Sequence, residues 1–228
     1  TAGLRGAGAV ILGKANLSQW ANFRSQNSMS GWSALGGQVR NPHSLDRNPC
    51  GSSSGSGAGG AASLAAGAVG TETNGSIICP STINGVAGFK PTVGLVSQQY
   101  IIPISSSQDT AGPMTKTVRG AAIMLGAMAV QDRGGNNQDF TAALSPDALR
   151  GTRIGVMRFA QGSHAGIIAQ FAATWDVLRA AGAELIEIKA FDRGVEDYGN
   201  KSFSLLQYEF KAGLNEYLAS TPDSVKTR

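Results

Sequence analysis

The segment from Cys50 to Thr92, CGSSSGSGAGGAASLAAGAVGTETNGSIICPSTINGVAGFKPT, constrains this chain more than any other. Its first part, Gly51 to Gly60, is nearly free of side-chain bulk, so a ligand could approach its backbone N–H groups closely. Its second, Thr71 to Ser76, ends in a serine framed by Gly75 and Ile77. Read locally, these are two glycine turns. The small-residue run between them, Ala61 to Val69, is expected to form an interior helix, because small side chains let neighbours come close.

Three chemistries compete for such a segment. Gly55, Gly57 and Gly60 satisfy the spacing of a dinucleotide loop. That motif needs a strand immediately before it and an acidic residue some twenty positions beyond, and the Asn48-Pro49 break provides no such strand. A flexible Gly/Ser linker is the bland reading. Linkers, however, do not run directly into a compact apolar stretch and a second glycine turn. The third reading is nucleophilic catalysis, with a serine on a tight turn, backbone amides for an oxyanion and a second serine to relay a proton.

The rest of the chain sets bounds on these readings. At 228 residues, with 42% hydrophobic and 15% charged residues, it has the length and composition to bury a core and is unlike a disordered chain. A net charge of +4 without basic clustering argues against nucleic acid as a partner. No window approaches a membrane span, and no signal-peptide pattern opens the chain. Thr1 lies inside what reads as the end of a helix, so the true N-terminus is expected upstream. That leaves the compartment open among cytoplasm, periplasm and exterior. Cys50 and Cys79 read as two small buried thiols, with a disulfide between them as the alternative, and nothing has the clustering of a metal site.

Along the chain, a helix end at Leu4-Arg5 and a glycine stop at Gly8 lead into an expected strand, Ala9 to Leu12, and a short helix, Asn16 to Phe23. Arg24 to Pro49 reads as a surface loop. Short strands are expected at Gly85 to Phe89 and Gly94 to Ser97, and a polar loop at Ser105 to Met114. Val118, Ala121, Ala122, Leu125, Met128 and Ala129 mark a helix stopping at Gly134-Gly135. Arg153 to Met157, the stripe from Ile167 to Leu178, and Leu185 to Ile188 form a βαβ unit with parallel strands. From Lys201 the tail is again helical.

The turns GSSSGSG and TETNGSI, the closing GVAGFKPT, the lead-in AVILGKANLSQWANF and the segment QDTAGPM together resemble the amidase signature family. Within it the look is nearest to the peptide-amidase-like branch. The resemblance covers most of Gly3 to Ala129. It implies an α/β fold, an α/β/α layered domain around a mixed, largely parallel sheet. Residues 1–228 would form one such domain, incomplete at both ends, with a sub-structure boundary near 133–152.

It also implies a hydrolase of carboxamide C–N bonds that needs no metal or cofactor, acting on a small-molecule or peptide amide. Ser76 would be the nucleophile and Ser52, following a cis peptide bond, the relay, with Ser53 as a supporting hydroxyl. The amides of Thr73, Asn74, Gly75 and Ser76 would form the oxyanion hole. The family's base is a buried lysine well upstream of the first turn, and no matching motif lies between Thr1 and Cys50. Lys14 and Lys90 belong to other family motifs, and His43 and His164 are isolated in polar loops. Asn74 stands where the family often has Gly or Asp, and Ile78 where some members carry arginine. A role within a glutamine-dependent amidotransferase, an inactive binding remnant and a homo-oligomer all stay open.

Overall fold

The computed structural model describes residues 2–129 and 138–222. They fall into two compact units, Thr1–Thr141 with Ser202–Arg228, and Ala142–Lys201. The first contains α1 (Ala2–Gly6), β1 (Trp32–Ser33), β2 (Gly37–Gln38), α2 (Ser54–Ala61), β3 (Gly67–Glu72), α3 (Ile78–Asn84), β4 (Ala87–Gly88), β5 (Thr110–Thr115) and α4 (Val118–Met128). The second contains β6 (Arg153–Val156), α5 (Ala165–Ala180) and β7 (Glu184–Glu187). Helix α6 (Tyr198–Ser220) begins in the second unit and lies mostly in the first.

The centre of the first unit is a three-stranded antiparallel sheet in the order β3-β5-β4. Gly67 pairs with Thr115 and Glu72 with Thr110, while Ala87 and Gly88 of β4 pair with Thr115 and Met114. Every residue of β5 is buried. This corrects the loop expected over Ser105 to Met114. Gly112 and Pro113 argue locally against a central strand, but neighbours on both edges hold this one. Gly112 is also required by close approach, since a Cβ there would lie 2.2 Å from the Phe89 carbonyl oxygen.

The expected helix over Ala61 to Val69 is likewise corrected. The helix is α2, inside the supposed first glycine turn, and Gly67 to Val69 already belong to β3. With four glycines in SGSGAGGA, α2 has poor intrinsic propensity. It is held from outside, partly by Ser56 Oγ donating to the Val69 carbonyl at 2.8 Å. Small residues are what let α2 lie against β3 and α3; a Cβ on Gly57 would meet the Pro80 carbonyl oxygen at 3.0 Å.

Val96, Ala111 and Leu125 form a buried apolar cluster that Leu95, Ile101, Met128 and Phe140 pack against. The helix through Val118 to Met128 is as expected, its N-terminus capped by Thr117 Oγ1, which accepts from the Gly120 N–H at 3.0 Å. Gly134-Gly135, read as its stop, lies outside the described residues. Ala9 to Leu12 is not a strand, and Val10 and Leu12 are exposed. Asn16 to Phe23 holds only a short turn over Gln19–Asn22, in which Trp20 and Ala21 adopt left-handed backbone angles that no right-handed helix can continue. Gly94 to Ser97 makes one isolated bridge, Val96 to Ala129.

In the second unit the expected βαβ arrangement is present, with β6 and β7 parallel and Arg153 opposite Glu184. Helix α5 is capped by His164, whose Nδ1 accepts from the Ile167 N–H, and the Arg158 guanidinium stacks over its buried Trp175. In the first unit, Phe203 and Phe210 of α6 pack on Phe23 with ring centroids 6.0 and 5.2 Å apart. Both units combine helices with strands, the mixed α/β architecture expected, but among the described residues the sheets of the first unit are antiparallel and only β6–β7 is parallel, where a largely parallel sheet was expected. No helix among the described residues is long and apolar enough to cross a membrane.

Cys50 and Cys79 are joined as a disulfide, with Cα atoms 5.9 Å apart, which corrects the reading of two free thiols. Their positions explain it. Cys50 immediately precedes Gly51 and Ser52, and Cys79 lies in the first turn of α3, so the packing of α2 on α3 brings them together.

Candidate active site

The two serine-bearing segments meet through backbone. The Ser53 N–H donates to the Ser76 carbonyl at 3.1 Å. Ser53 Oγ donates to the Thr71 carbonyl at 3.1 Å and accepts from the Thr71 N–H at 3.0 Å. The start of α2 is thereby stitched to the end of β3. Gly70 permits this, because a Cβ there would come within 2.8 Å of Ser53 Oγ and 2.6 Å of the Met114 sulfur.

The Gly51–Ser52 peptide bond is cis. The Ser52 carbonyl accepts from the Ser18 N–H at 2.9 Å, and the residue is 1% exposed. Its Oγ has no hydrogen-bond partner among the described residues. Ser18, from the lead-in segment, is itself fully buried; its Oγ accepts from the Gly31 N–H at 2.8 Å and pairs with Ser54 Oγ at 2.9 Å. The lead-in therefore supports the cis-serine from below.

Ser76 closes the turn after β3. Gly75 has φ of +84° with open space where a Cβ would sit, so glycine is favoured there by backbone conformation and not by room. Glu72 organises this turn. Its Oε1 accepts from the Gly75 N–H at 2.8 Å, and its Oε2 accepts from the N–H groups of Ile77 and Ile78 at 2.7 and 2.9 Å. A buried carboxylate gathering three amides is strongly held, since charge-assisted hydrogen bonds offset the loss of hydration. The Gly75 N–H already faces Glu72, whereas the amides of Thr73, Asn74 and Ser76 are not engaged by this carboxylate.

Asp109, on the far side, fixes Thr73. Its Oδ1 accepts from Thr73 Oγ1 at 2.5 Å, and its Oδ2 accepts from the N–H groups of Ile104 and Ser105 at 2.8 and 2.9 Å. Ser52, Thr71, Glu72, Thr73, Ser76 and Asp109 line one pocket, walled otherwise by Ala21, Gln98, Ile101, Ile102 and Ile104. Of the residues expected at the site, Ser52, Thr73 and Ser76 thus share a pocket. Ser53 lies behind it, Gly75 is in the turn, and Asn74 is exposed.

No lysine lines this pocket among the described residues, and Lys14 is exposed at the surface. His43 Nε2 pairs with the Asn84 carbonyl at 3.0 Å and His164 caps α5, so both histidines have structural contacts and neither lines the pocket.

Sequence reasoning missed Glu72, Asp109 and Ser18. A signal existed for the first: Glu72 is the sole acidic residue between Asp46 and Asp109, and it sits beside a glycine turn. Ser18 and Asp109 lie in the family-like segments AVILGKANLSQWANF and QDTAGPM, but their roles arise from contacts with segments distant in the chain.

Serine-bearing turns set against a small-residue helix and a buried strand on an α/β scaffold are what the amidase class presents. A family model described as Amidase matches residues 1–223, and the chain belongs to that family. The native peptide amidase of Stenotrophomonas maltophilia is 48% identical with a TM-score of 0.89, over 96% of this chain and 46% of that one. A protein of Arabidopsis thaliana named as a probable amidase is 40% identical over 234 residues, 94% of this chain and 43% of its own length. A glutamyl-tRNA(Gln) amidotransferase subunit of Cereibacter sphaeroides is 45% identical over 199 residues, 82% of this chain and 39% of that protein. The chain spans less than half the length of each.

Proposed function

We propose that the protein carrying this chain hydrolyses carboxamides through an acyl-enzyme on Ser76. The observation that carries this reading is the orphaned Ser52 hydroxyl, buried in the pocket that Ser76 also lines. A buried hydroxyl without a partner is costly, and a proton-relay role accounts for it.

In this mechanism Ser76 Oγ attacks the substrate carbonyl carbon and its proton passes to Ser52 Oγ. Ser52 in turn gives its own proton to a base. Negative charge developing on the carbonyl oxygen is met by the turn amides of Thr73, Asn74 and Ser76, held in place by Glu72 and Asp109. Collapse of the tetrahedral intermediate breaks the C–N bond, and the leaving nitrogen takes up a proton to depart as ammonia or an amine. Water then releases the acid by the reverse relay. The base we assign is a lysine kept neutral by desolvation, supplied by a residue outside these 228. The chain by itself should therefore turn over amides slowly or not at all.

The similarity to the glutamyl-tRNA(Gln) amidotransferase protein favours a second reading, in which the same serine chemistry releases ammonia from glutamine for a partner. The test is covalent labelling of the intact protein with a fluorophosphonate, followed by peptide mapping. Modification of Ser76, abolished by Ser76→Ala, is expected; modification of a different serine, or none, would refute the assignment and favour a binding remnant. Glutaminase activity that appears only with a companion protein would select the second reading.

A further inference from the structure

Gln98, between β4 and β5, lines the pocket that holds Ser52 and Ser76. Its Nε2 donates to the Val96 carbonyl at 3.0 Å. Only the NH2 end of a carboxamide can pair with a carbonyl, so this bond decides which way the group faces. Val96 is 5% exposed and belongs to the buried apolar cluster, so the anchor is a fixed one. The other end, Oε1, is left buried without a hydrogen-bond partner among the described residues.

Two lining residues of this pocket therefore carry an unsatisfied buried polar atom, Ser52 Oγ and Gln98 Oε1. The relay accounts for the first. The second takes no part in it, since a carboxamide oxygen neither holds nor releases a proton at neutral pH. It can only accept, no described residue donates to it, and the pocket that Gln98 lines is where a substrate would bring a donor. Ile101, Ile102 and Ile104 complete that wall and offer no side-chain donor. An apolar wall bearing one oriented acceptor suits a group that is apolar except for a single N–H.

We propose that Gln98 Oε1 accepts a hydrogen bond from an amide N–H of the substrate, which makes Gln98 a specificity-determining residue that selects amides over analogues lacking that N–H. The inference rests on the acyl-serine reading above. The N–H could come from either side of the reacting carbonyl: the leaving nitrogen, or the acylated nitrogen of an aminoacyl group. Both are the same chemistry, and substrates can separate them.

The experiment compares wild type and Gln98→Met in the intact protein on three compounds. These are an N-acetyl aminoacyl amide, its O-acetyl hydroxy-acid amide, which lacks the acyl-side N–H, and its N-acetyl aminoacyl methyl ester, which lacks the leaving-side N–H. Methionine keeps the length and apolar contacts of the side chain and removes the acceptor. On the parent amide, kcat/KM should fall about 10- to 100-fold. On the analogue missing the N–H that Gln98 holds, it should fall no more than about twofold, and that analogue identifies the source. An equal fall on all three compounds would mean that losing the Val96 anchor disturbs the loop, and would overturn the proposal, as would no fall on any. If wild type processes none of the three, the hydrolase reading fails and this one fails with it.

Discussion

The backbone N–H of Ser53 donates to the carbonyl of Ser76 at 3.1 Å, so the residue after the buried cis-serine holds the residue proposed to attack. This bond needs no side chain and survives substitution. The Ser53 hydroxyl has the separate task of pairing with both backbone groups of Thr71. Ser53→Ala leaves the first contact and strands the Thr71 N–H and carbonyl. A loss of about 1–3 kcal/mol in stability is expected, read from urea unfolding, with a smaller drop in Ser76 labelling rate than Ser52→Ala causes.

Glu72 should be intolerant of its own amide. In Glu72→Gln one carboxylate oxygen becomes an NH2 group facing an N–H that it formerly accepted from, either that of Gly75 or those of Ile77 and Ile78. About 2–3 kcal/mol of stability should be lost. Because the Ser76 turn lies between these donors, fluorophosphonate labelling should slow at least tenfold even at temperatures where the variant is folded by circular dichroism. Undiminished labelling would show that the turn holds its shape without the carboxylate.

The disulfide spans 29 positions from Cys50 to Cys79. Closing a loop of that length restricts the unfolded chain by about 3.5 kcal/mol in the chain-entropy account. Mild reduction, or the pair Cys50→Ser with Cys79→Ser, should lower the melting temperature by several degrees. A melting curve unaffected by reductant would argue that packing of α2 on α3 suffices alone.

Glu209 on α6 gives a pH dependence with a definite sign. Its carboxylate accepts from Ser105 Oγ and, at 2.9 Å, from Ser107 Oγ. The Ser105 bond, the largest contribution, holds its pKa below the ordinary glutamate value; burial opposes it, and the weaker Ser107 bonds add to the lowering. A depressed folded-state pKa contributes stability that is fully present above the unfolded value and is lost as pH falls through the folded one. Attachment of α6 to the Ser105–Ser107 loop should thus weaken in acid. Amide exchange in α6 should rise as pH drops below the usual carboxylate range, after correction for intrinsic rates, and Glu209→Gln should flatten that dependence.

Much of this protein is legible in its sequence, and the legible parts share a physical cause. The helices of Val118 to Met128 and Ala165 to Ala180, and the parallel pair β6 and β7, carry apolar periodicity or a short β-rich run, which act within a few residues. The serine motifs, too, are readable as motifs, including the cis bond that the resemblance implies before Ser52. The segments misread are those rich in glycine, serine and proline. SGSGAGGA has no period, so whether it turns or coils depends on β3 and α3 closing over it; TAGPMT becomes a central strand because neighbours on both edges supply partners that its own composition does not demand.

The sequence by itself determined which serine motifs the chain carries, and through them the family. Tertiary structure alone decided that Cys50 meets Cys79, that Glu72 gathers the amides around Ser76, that Asp109 holds Thr73, and that Ser18 supports Ser52. Each of these joins depends on how segments pack, and in a buried site a polar atom's partner is set by which segments come together, not by its neighbours in sequence.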